Sequence, residues 1–317
     1  MRPDTENEPA GGSASTPPRA RDAITRFVFE HAPVRGAWVT LDAASRGILD
    51  CHPYPPALRR VLAELLAAST LLASTLKLEG SLIVQLQGSG PVKLLVVECN
   101  DALELRATAQ WDAQRTTVFG PDATLAELAG GATQGRLVIT LDSKGNGTLY
   151  QGIVTLETTS VASLFEHYLA TSEQLASRLV LATDAGRAAG LLLQRLPGAG
   201  TGDDPGPDDT WTRAALLMSQ LDPVTLLAPG SAQSLLAQSF PHDDVRMFGQ
   251  KPVAFRCSCS RERVERALRI AGLAEVESIL AERGNVEVTC EFCNSSYVFA
   301  PVEARAVFSP HASSARH

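Results

Sequence analysis

Apolar residues recur at helical spacing in LRRVLAELLAASTLLASTLK, where Leu58, Val61, Leu62 and Leu65 share one face. The pattern predicts a helix over roughly 57–77. SLIVQLQG (81–88) alternates instead, with Leu82, Val84 and Leu86 against Ile83, Gln85 and Gln87, as a strand does. KLLVVEC (93–99), RLVITLD (136–142) and TLYQGIVTLE (148–157) read as further strands, SVASLFEHYLA (160–170) as a helix and GLLLQRL (190–196) as a last strand. Strands come in runs rather than in strict alternation with helices. That order predicts an α+β fold with a mixed helix and largely antiparallel-sheet N-terminal domain.

The pattern then breaks. LPGAGTGDDPGPDD (196–209) is built of Gly, Pro and Asp and marks a linker. WTRAALLMSQL (211–221) carries an apolar stripe, Asp222 and Pro223 make an N-cap and N1 pair for a short helix ending near Pro229, and SAQSLLAQSF (231–240) suggests another. Helices this short are marginal alone in water. They need a surface that buries Trp211, Leu216, Leu217, Leu235, Leu236 and Phe240. In the last block, Val264, Ala267, Leu268 and Ala271 form a helical face stopped by Gly272. Val276, Ile279 and Leu280 form another, stopped by Gly284, and EVTCEFCNSSYVFA reads as two short strands around a turn. The division that follows is a disordered extension (1–21), an α+β core (22–198), a flexible helical linker (199–244), a small C-terminal domain (245–310) and a frayed tail (311–317).

Composition adds limits. The chain has 317 residues, 44% hydrophobic, which is enough for a large domain and a smaller one. A net charge of −7 argues against a coat for nucleic acid or anionic lipid. Residues 1–21 hold no apolar stretch of the kind a secretory signal needs, and LLAASTLLASTL (65–76) is too short to span a bilayer. The expectation is a cytoplasmic protein with no membrane partner. In that reducing compartment, paired cysteines point to metal ligands or redox-active thiols more than to structural disulfides.

Four of the six cysteines fall in two tight pairs, Cys257 and Cys259 in FRCSCSRER and Cys290 and Cys293 in VTCEFCNSS. A block of this size with two helices and a hairpin buries little apolar area and usually needs a staple. Four thiolates around one zinc ion would supply it, since zinc favours tetrahedral sulfur ligation and a C-x-x-C turn aims two sulfurs at one point. In an extended C-x-C, residues i and i+2 face the same side. Two readings stay open here: a permanent structural zinc knob, and a redox-active centre. A thioredoxin-like site does not fit, because neither pair lies between a strand and a helix of a βαβ unit.

The order C-x-C, a gap near thirty and C-x-x-C, with SRER after the first pair, resembles the bacterial chaperone family Hsp33. VRG (34–36), LAELLAASTLLASTLK (62–77), VQLQGSGP (84–91), YQGIV (150–154), SEQLASR (172–178) and GLLLQRLP (190–197) look like that family's landmarks in the same order. The resemblance implies a redox-regulated, ATP-independent holdase rather than an enzyme. Cys257, Cys259, Cys290 and Cys293 would ligate one zinc in the reduced, inactive state. Oxidants would form the disulfides Cys257–Cys259 and Cys290–Cys293, zinc would leave, and the small domain and linker would lose structure. The active form, commonly a homodimer, would hold unfolding client proteins. On this reading Trp211, Leu216, Leu217, Leu235, Leu236 and Phe240 become candidate client-binding residues. One departure stands out: the family usually has Gly after C-x-x-C, and here it is Asn294, the next most tolerant residue for a left-handed turn.

Other features carry less. Cys99 closes an apolar run and reads as a core thiol; Cys51 beside His52 lacks a third, orienting group for nucleophilic catalysis; His242 is superfluous to a filled tetrahedral site. QGSGP (87–91) reads as a turn, and no G-x-x-x-x-G-K-[ST] occurs. Two alternatives remain. Arg256, Arg261, Arg263, Arg266 and Arg269 near the cysteines motivate a zinc ribbon that binds nucleic acid, although Glu262 and Glu265 interleave them. A thiol–disulfide oxidoreductase is the other.

Overall fold

The computed structural model describes residues 22–76, 79–116, 119–131, 135–143, 149–157, 160–197, 210–228 and 230–309. The expected disordered extension, the Gly/Pro/Asp segment from 198 to 209 and the expected frayed tail lie outside them. In chain order the elements of the first part are β1 (Ala23–Phe29), β2 (Val34–Leu41), α1 (Ala43–Leu49), α2 (Pro56–Thr75), β3 (Gly80–Gln87), β4 (Val92–Asn100) and β5 (Glu104–Trp111). Then come α3 (Ala113–Thr116), α4 (Leu125–Ala129), β6 (Arg136–Ser143), β7 (Leu149–Thr155), α5 (Val161–Thr171), β8 (Ser177–Asp184) and β9 (Arg187–Arg195).

These strands form two sheets, β1-β2-β9-β8 and β5-β4-β3-β6-β7, antiparallel throughout. Helix α2 lies in the core they share, with Leu58, Leu62, Leu65, Leu66 and Leu72 among its buried residues. Burial on all sides explains why LLAASTLLASTL is apolar without being a membrane span. Among the described residues no helix is long and apolar enough to cross a membrane. Thr70 fits this interior because its hydroxyl donates to the Leu66 carbonyl at 2.7 Å.

Close backbone approach fixes two of the motifs. A Cβ on Gly36 of VRG would sit 2.3 Å from the Phe27 ring and 2.6 Å from the Leu192 carbonyl, so the β1–β2–β9 packing demands glycine. A Cβ on Gly90 of QGSGP would lie 2.2 Å from the Gly130 nitrogen, so this G-x-G is a turn packed on the end of α4. The helices and strands expected from periodicity appear close to their expected bounds. Strands β1, β2, β5 and β8 and helices α1, α3 and α4 go beyond those expectations. Strand β2 is buried on both faces over most of its length, which erases the alternation a half-exposed strand shows. Strand β5 (ELRATAQW) uses small Ala and Thr side chains inside the fold.

Beyond the linker come α6 (Thr210–Gln220), a 3₁₀ turn (Pro223–Leu227) and α7 (Ala232–Ser239). Asp222 caps the 3₁₀ turn by accepting from the Val224 N–H at 3.0 Å. These helices lie on the outer face of the first sheet, where Phe27, Phe29, Trp38, Leu191 and Leu193 meet Ala214, Met218, Leu226, Leu235, Leu236 and Phe240. The Phe240 and Phe29 rings meet edge to face, centroids 5.2 Å apart. Trp211 and Leu217 pack partly against this layer. Leu216, expected to be buried with them, points to solvent and is 57% exposed, because it falls off the side of α6 that carries Ala214 and Met218.

The next stretch holds β10 (Val245–Met247), β11 (Lys251–Pro252) and β12 (Ala254–Phe255). From the sequence these residues opened the small C-terminal domain. In the structure they hydrogen-bond with the two large sheets: β10 and β11 with β1, antiparallel, and β12 with β5, the one parallel pairing among the described strands. Last come α8 (Arg261–Ala271), α9 (Leu273–Arg283), β13 (Val286–Thr289), β14 (Ser296–Phe299) and α10 (Pro301–Ala306). Their core is small: Val264, Leu268, Val276, Leu280, Val286, Phe299, Ala304 and Val307.

Candidate metal centre

The first cysteine pair leaves β12 in extended chain and ends where α8 begins. Ser260 caps that helix by accepting from the Arg263 N–H at 3.3 Å, which fixes Cys259 just outside the first turn. The second pair sits in the turn of the β13–β14 hairpin. There the Cys290 N–H donates to the Ser295 carbonyl at 2.9 Å, and the Asn294 N–H to the Cys290 carbonyl at 2.8 Å. Asn294 has φ of +58°, the left-handed conformation expected where the family pattern has Gly.

The fold brings all four expected ligands together. Their sulfurs lie within 4.8 Å of one another. Cys257 Sγ is 3.7 Å from Cys290 Sγ, and Cys259 Sγ is 3.3 Å from Cys293 Sγ. A tetrahedral ion with metal–sulfur bonds of about 2.3 Å separates its sulfurs by about 3.8 Å, so the donor set and its spacing fit such an ion. All six cysteines are free thiols.

The surroundings favour charge on one of these sulfurs, that of Cys293, while burial raises Cys257 and Cys259. Burial opposes ionisation of Cys293, but the Ser295 hydroxyl, 3.2 Å from its sulfur, and the Ser295 backbone outweigh it and bring the thiol down to about 7. Burial pushes Cys257 up to about 12. Tyr297 donates its hydroxyl to Cys259 Sγ at 3.1 Å, and that bond raises the phenol to about 12. A hydroxyl that donates to a ligating sulfur fixes its orientation.

Contacts of three side chains tie the cysteine region to the rest of the fold, none of them visible in local sequence. His52 Nε2 lies 2.7 Å from the carbonyl of Glu291, inside the C-x-x-C turn. Arg106 on β5 stacks over the Phe292 ring at 4.2 Å, donates to Ser258 Oγ at 2.9 Å and pairs with Glu98 at 2.7 Å. Arg256 donates to Glu104 at 3.0 Å. His52 and Glu291 are 239 positions apart, so only pattern matching across the whole chain would have linked them.

The other sequence candidates separate cleanly. Cys99 is buried in the main core, and burial pushes its thiol up to about 12. Cys51 is half-buried and donates to the Gly47 carbonyl at 3.1 Å. Burial raises its thiol, with repulsion from Cys293 the next cause. His242 is exposed. Of the arginines that motivated a nucleic-acid surface, Arg256, Arg261 and Arg269 pair with Glu104, Glu303 and Glu265.

Comparison with known proteins shows the family and the fold. The family model described as "Hsp33 protein" matches residues 22–300. The 33 kDa chaperonin of Methylobacillus flagellatus is 43% identical over 289 residues, covering 91% of this chain and 94% of that protein. That of Chromobacterium violaceum is 43% identical over 288 residues, covering 90% and 94%. The crystal structure of the 33 kDa chaperonin from Thermotoga maritima shares the fold with a TM-score of 0.74 at 20% identity, over 90% of this chain and 97% of that one.

Proposed function

The chain belongs to the Hsp33 chaperone family, and we propose on that premise that it is a redox-regulated, ATP-independent holdase whose resting form carries one zinc ion on Cys257, Cys259, Cys290 and Cys293. The observation that carries the reading is the convergence of four sulfurs within 4.8 Å from two segments that a 30-residue stretch separates. Bound there, zinc would hold the sulfurs as thiolates and lend the block on the order of 10 kcal/mol of folding free energy.

Thiolates are the form that peroxides attack. Two thiolates give two electrons to one hydrogen peroxide, which takes up two protons and leaves as two waters while one S–S bond forms. The pairs that membership of the family implies are Cys257–Cys259 and Cys290–Cys293. Once bonded to each other, the sulfurs no longer ligate. An i,i+2 pair in extended chain lacks disulfide geometry, so closing Cys257–Cys259 bends the segment that joins β12 to α8.

The eight buried residues of the C-terminal core are too few to hold that block without its staple. As it loosens, the contacts of His52 and Arg106 with the C-x-x-C turn go with it. The helical layer of 210–240 then has less to hold it on the first sheet. Its withdrawal uncovers Leu235, Leu236 and Phe240 and the Phe27, Phe29 and Trp38 surface beneath. Trp211, Leu216 and Leu217 flank that surface and complete the client-binding set. Apolar area of this kind captures unfolding chains. Homodimerisation of the oxidised form, action in the cytoplasm and independence from nucleic acid belong to the same proposal.

The test follows zinc content and suppression of aggregation of a heat-unfolding client together during oxidation by peroxide with mild heat. Reduced protein should hold about one zinc per chain and suppress little; the oxidised protein should lose zinc and suppress strongly. Equal suppression before and after oxidation would refute the switch.

A further inference from the structure

Just before the first cysteine pair the chain runs as a strap along one edge of the first sheet. Strand β10 pairs with β1 at Phe27↔Met247, Val28↔Arg246 and Phe29↔Val245, and β11 pairs at Ala23↔Pro252 and Ile24↔Lys251. The Glu30 N–H donates to the Asp244 carbonyl at 2.9 Å, the Phe248 N–H to Arg26 at 2.8 Å and the Val253 N–H to Asp22 at 3.0 Å. Without the strap, β1 would be a free edge.

The strap is well bonded through its backbone; of its side chains Val245 packs against the outer core and Arg246 pairs with Glu30, and the rest pack poorly. Arg246, Met247, Phe248, Lys251 and Pro252 are exposed, with Met247 at 36% and Phe248 at 41%. Alternation sends Phe27 and Phe29 to the outer face of β1 and Ile24 to the inner one. Hollow space lies beside the strap on both faces. A groove of about 1000 Å³ lined by Thr25, Trp38, Met247 and Phe248 lies outside. Hollows of about 250 Å³ at Ile24, Arg26 and Lys251, and about 230 Å³ at Arg26, Val28 and Phe248, lie on the other side. A strand held by main-chain bonds over empty space opens at low cost. At its far end Val253 and Phe255 pack into the main core and anchor the chain, so opening is confined to 244–252.

We infer that β1 is the docking edge for an extended segment of an unfolding polypeptide, which adds as a strand in place of β10 and β11 once the strap lifts. The inference rests on the holdase reading and names its recognition surface. The strap itself shows the edge accepting an extended segment through main-chain bonds. Main-chain pairing makes few demands on sequence, as a ligand drawn from many unfolding proteins requires. The hollows on both faces give the alternating side chains of an incoming strand somewhere to go. The strap runs from α7, which the switch loosens, to the anchor at Val253 and Phe255, so its free end is the one next to α7.

Hydrogen exchange at the Glu30 amide reads the edge directly. It should be protected in reduced, zinc-loaded protein, exchange at least tenfold faster after oxidation, and regain protection when reduced, carboxymethylated α-lactalbumin, a permanently unfolded chain, is added. A staple gives the second measurement. Oxidised Val28→Cys/Arg246→Cys protein should release zinc as the single variants do, yet bind the same probe at least tenfold more weakly. Equal binding by stapled protein and single variants, or probe binding without renewed Glu30 protection, overturns the inference. So does protection that returns without probe as protein concentration rises, which assigns the edge to a second copy. Failure of the holdase reading looks different: oxidised wild-type protein then binds no probe at all.

Discussion

The two cores of this chain are built on different principles. Between the large sheets, α2 and its neighbours bury a continuous set of Leu, Ile, Val and aromatic side chains, and that burial alone is enough to hold a fold. Among the described residues the C-terminal block gathers eight buried side chains around Phe299 and Leu268. Its other support is polar and local: the Ser260 cap, the Arg261 guanidinium over the Phe299 ring at 4.1 Å, and four sulfurs in one place. A region that keeps itself folded suits a platform. A region with so small a core beside a cluster of four sulfurs fits the switch proposed above.

The sharpest way to break this contrast is to remove two ligands. Cys290→Ser/Cys293→Ser should abolish metal binding and unfold the C-terminal block while the main core stays cooperative, a loss on the order of 10 kcal/mol to that block alone. Metal analysis with limited proteolysis reads both halves, and a compact C-terminal block in this variant would refute the contrast. Phe299→Ala should cost about 3–5 kcal/mol, and in so small a core it should also weaken metal retention against a chelator without touching a ligand. Leu62→Ala should cost about 2–5 kcal/mol in thermal unfolding of the main core and leave metal stoichiometry unchanged.

Smaller effects sharpen the link between the regions. Arg106→Ala removes a stacking contact and a hydrogen bond to the cysteine loops, worth about 1–2 kcal/mol together. Metal release under peroxide should speed up several-fold, with global unfolding of the main core changed by much less. Asn294→Gly should be neutral or slightly stabilising for the C-terminal block, by up to about 1 kcal/mol. Asn294→Val should instead cost about 1–2 kcal/mol, because a β-branched side chain resists a φ of +58°. Equal stability of the two variants would mean that the turn relaxes.

Much of this was legible in the chain. The helix at Pro56–Thr75, the strands at Gly80–Gln87 and Val92–Asn100 and the Gly284 stop each follow from a local pattern, the left-handed turn at Asn294 from the family resemblance, and the structure has them. The four sulfurs were legible too, since C-x-C and C-x-x-C are local spacings whose chemistry needs no long-range information. Strand β2 escaped notice because burial on both faces removes the period-two signal. The outward turn of Leu216 escaped because an apolar stripe on a short helix does not say which edge of it meets the sheet.

By itself the sequence determined which segments are helix or strand and that four thiolates can serve one ion, because these depend on neighbours a few residues away. Tertiary structure alone decided where those segments meet: that 245–255 lies along the edges of two sheets, and that His52 and Arg106 hold the cysteine turn. Such contacts join residues as many as 239 positions apart. Their partners are chosen by the packing of whole layers, a global property that no short stretch of chain encodes.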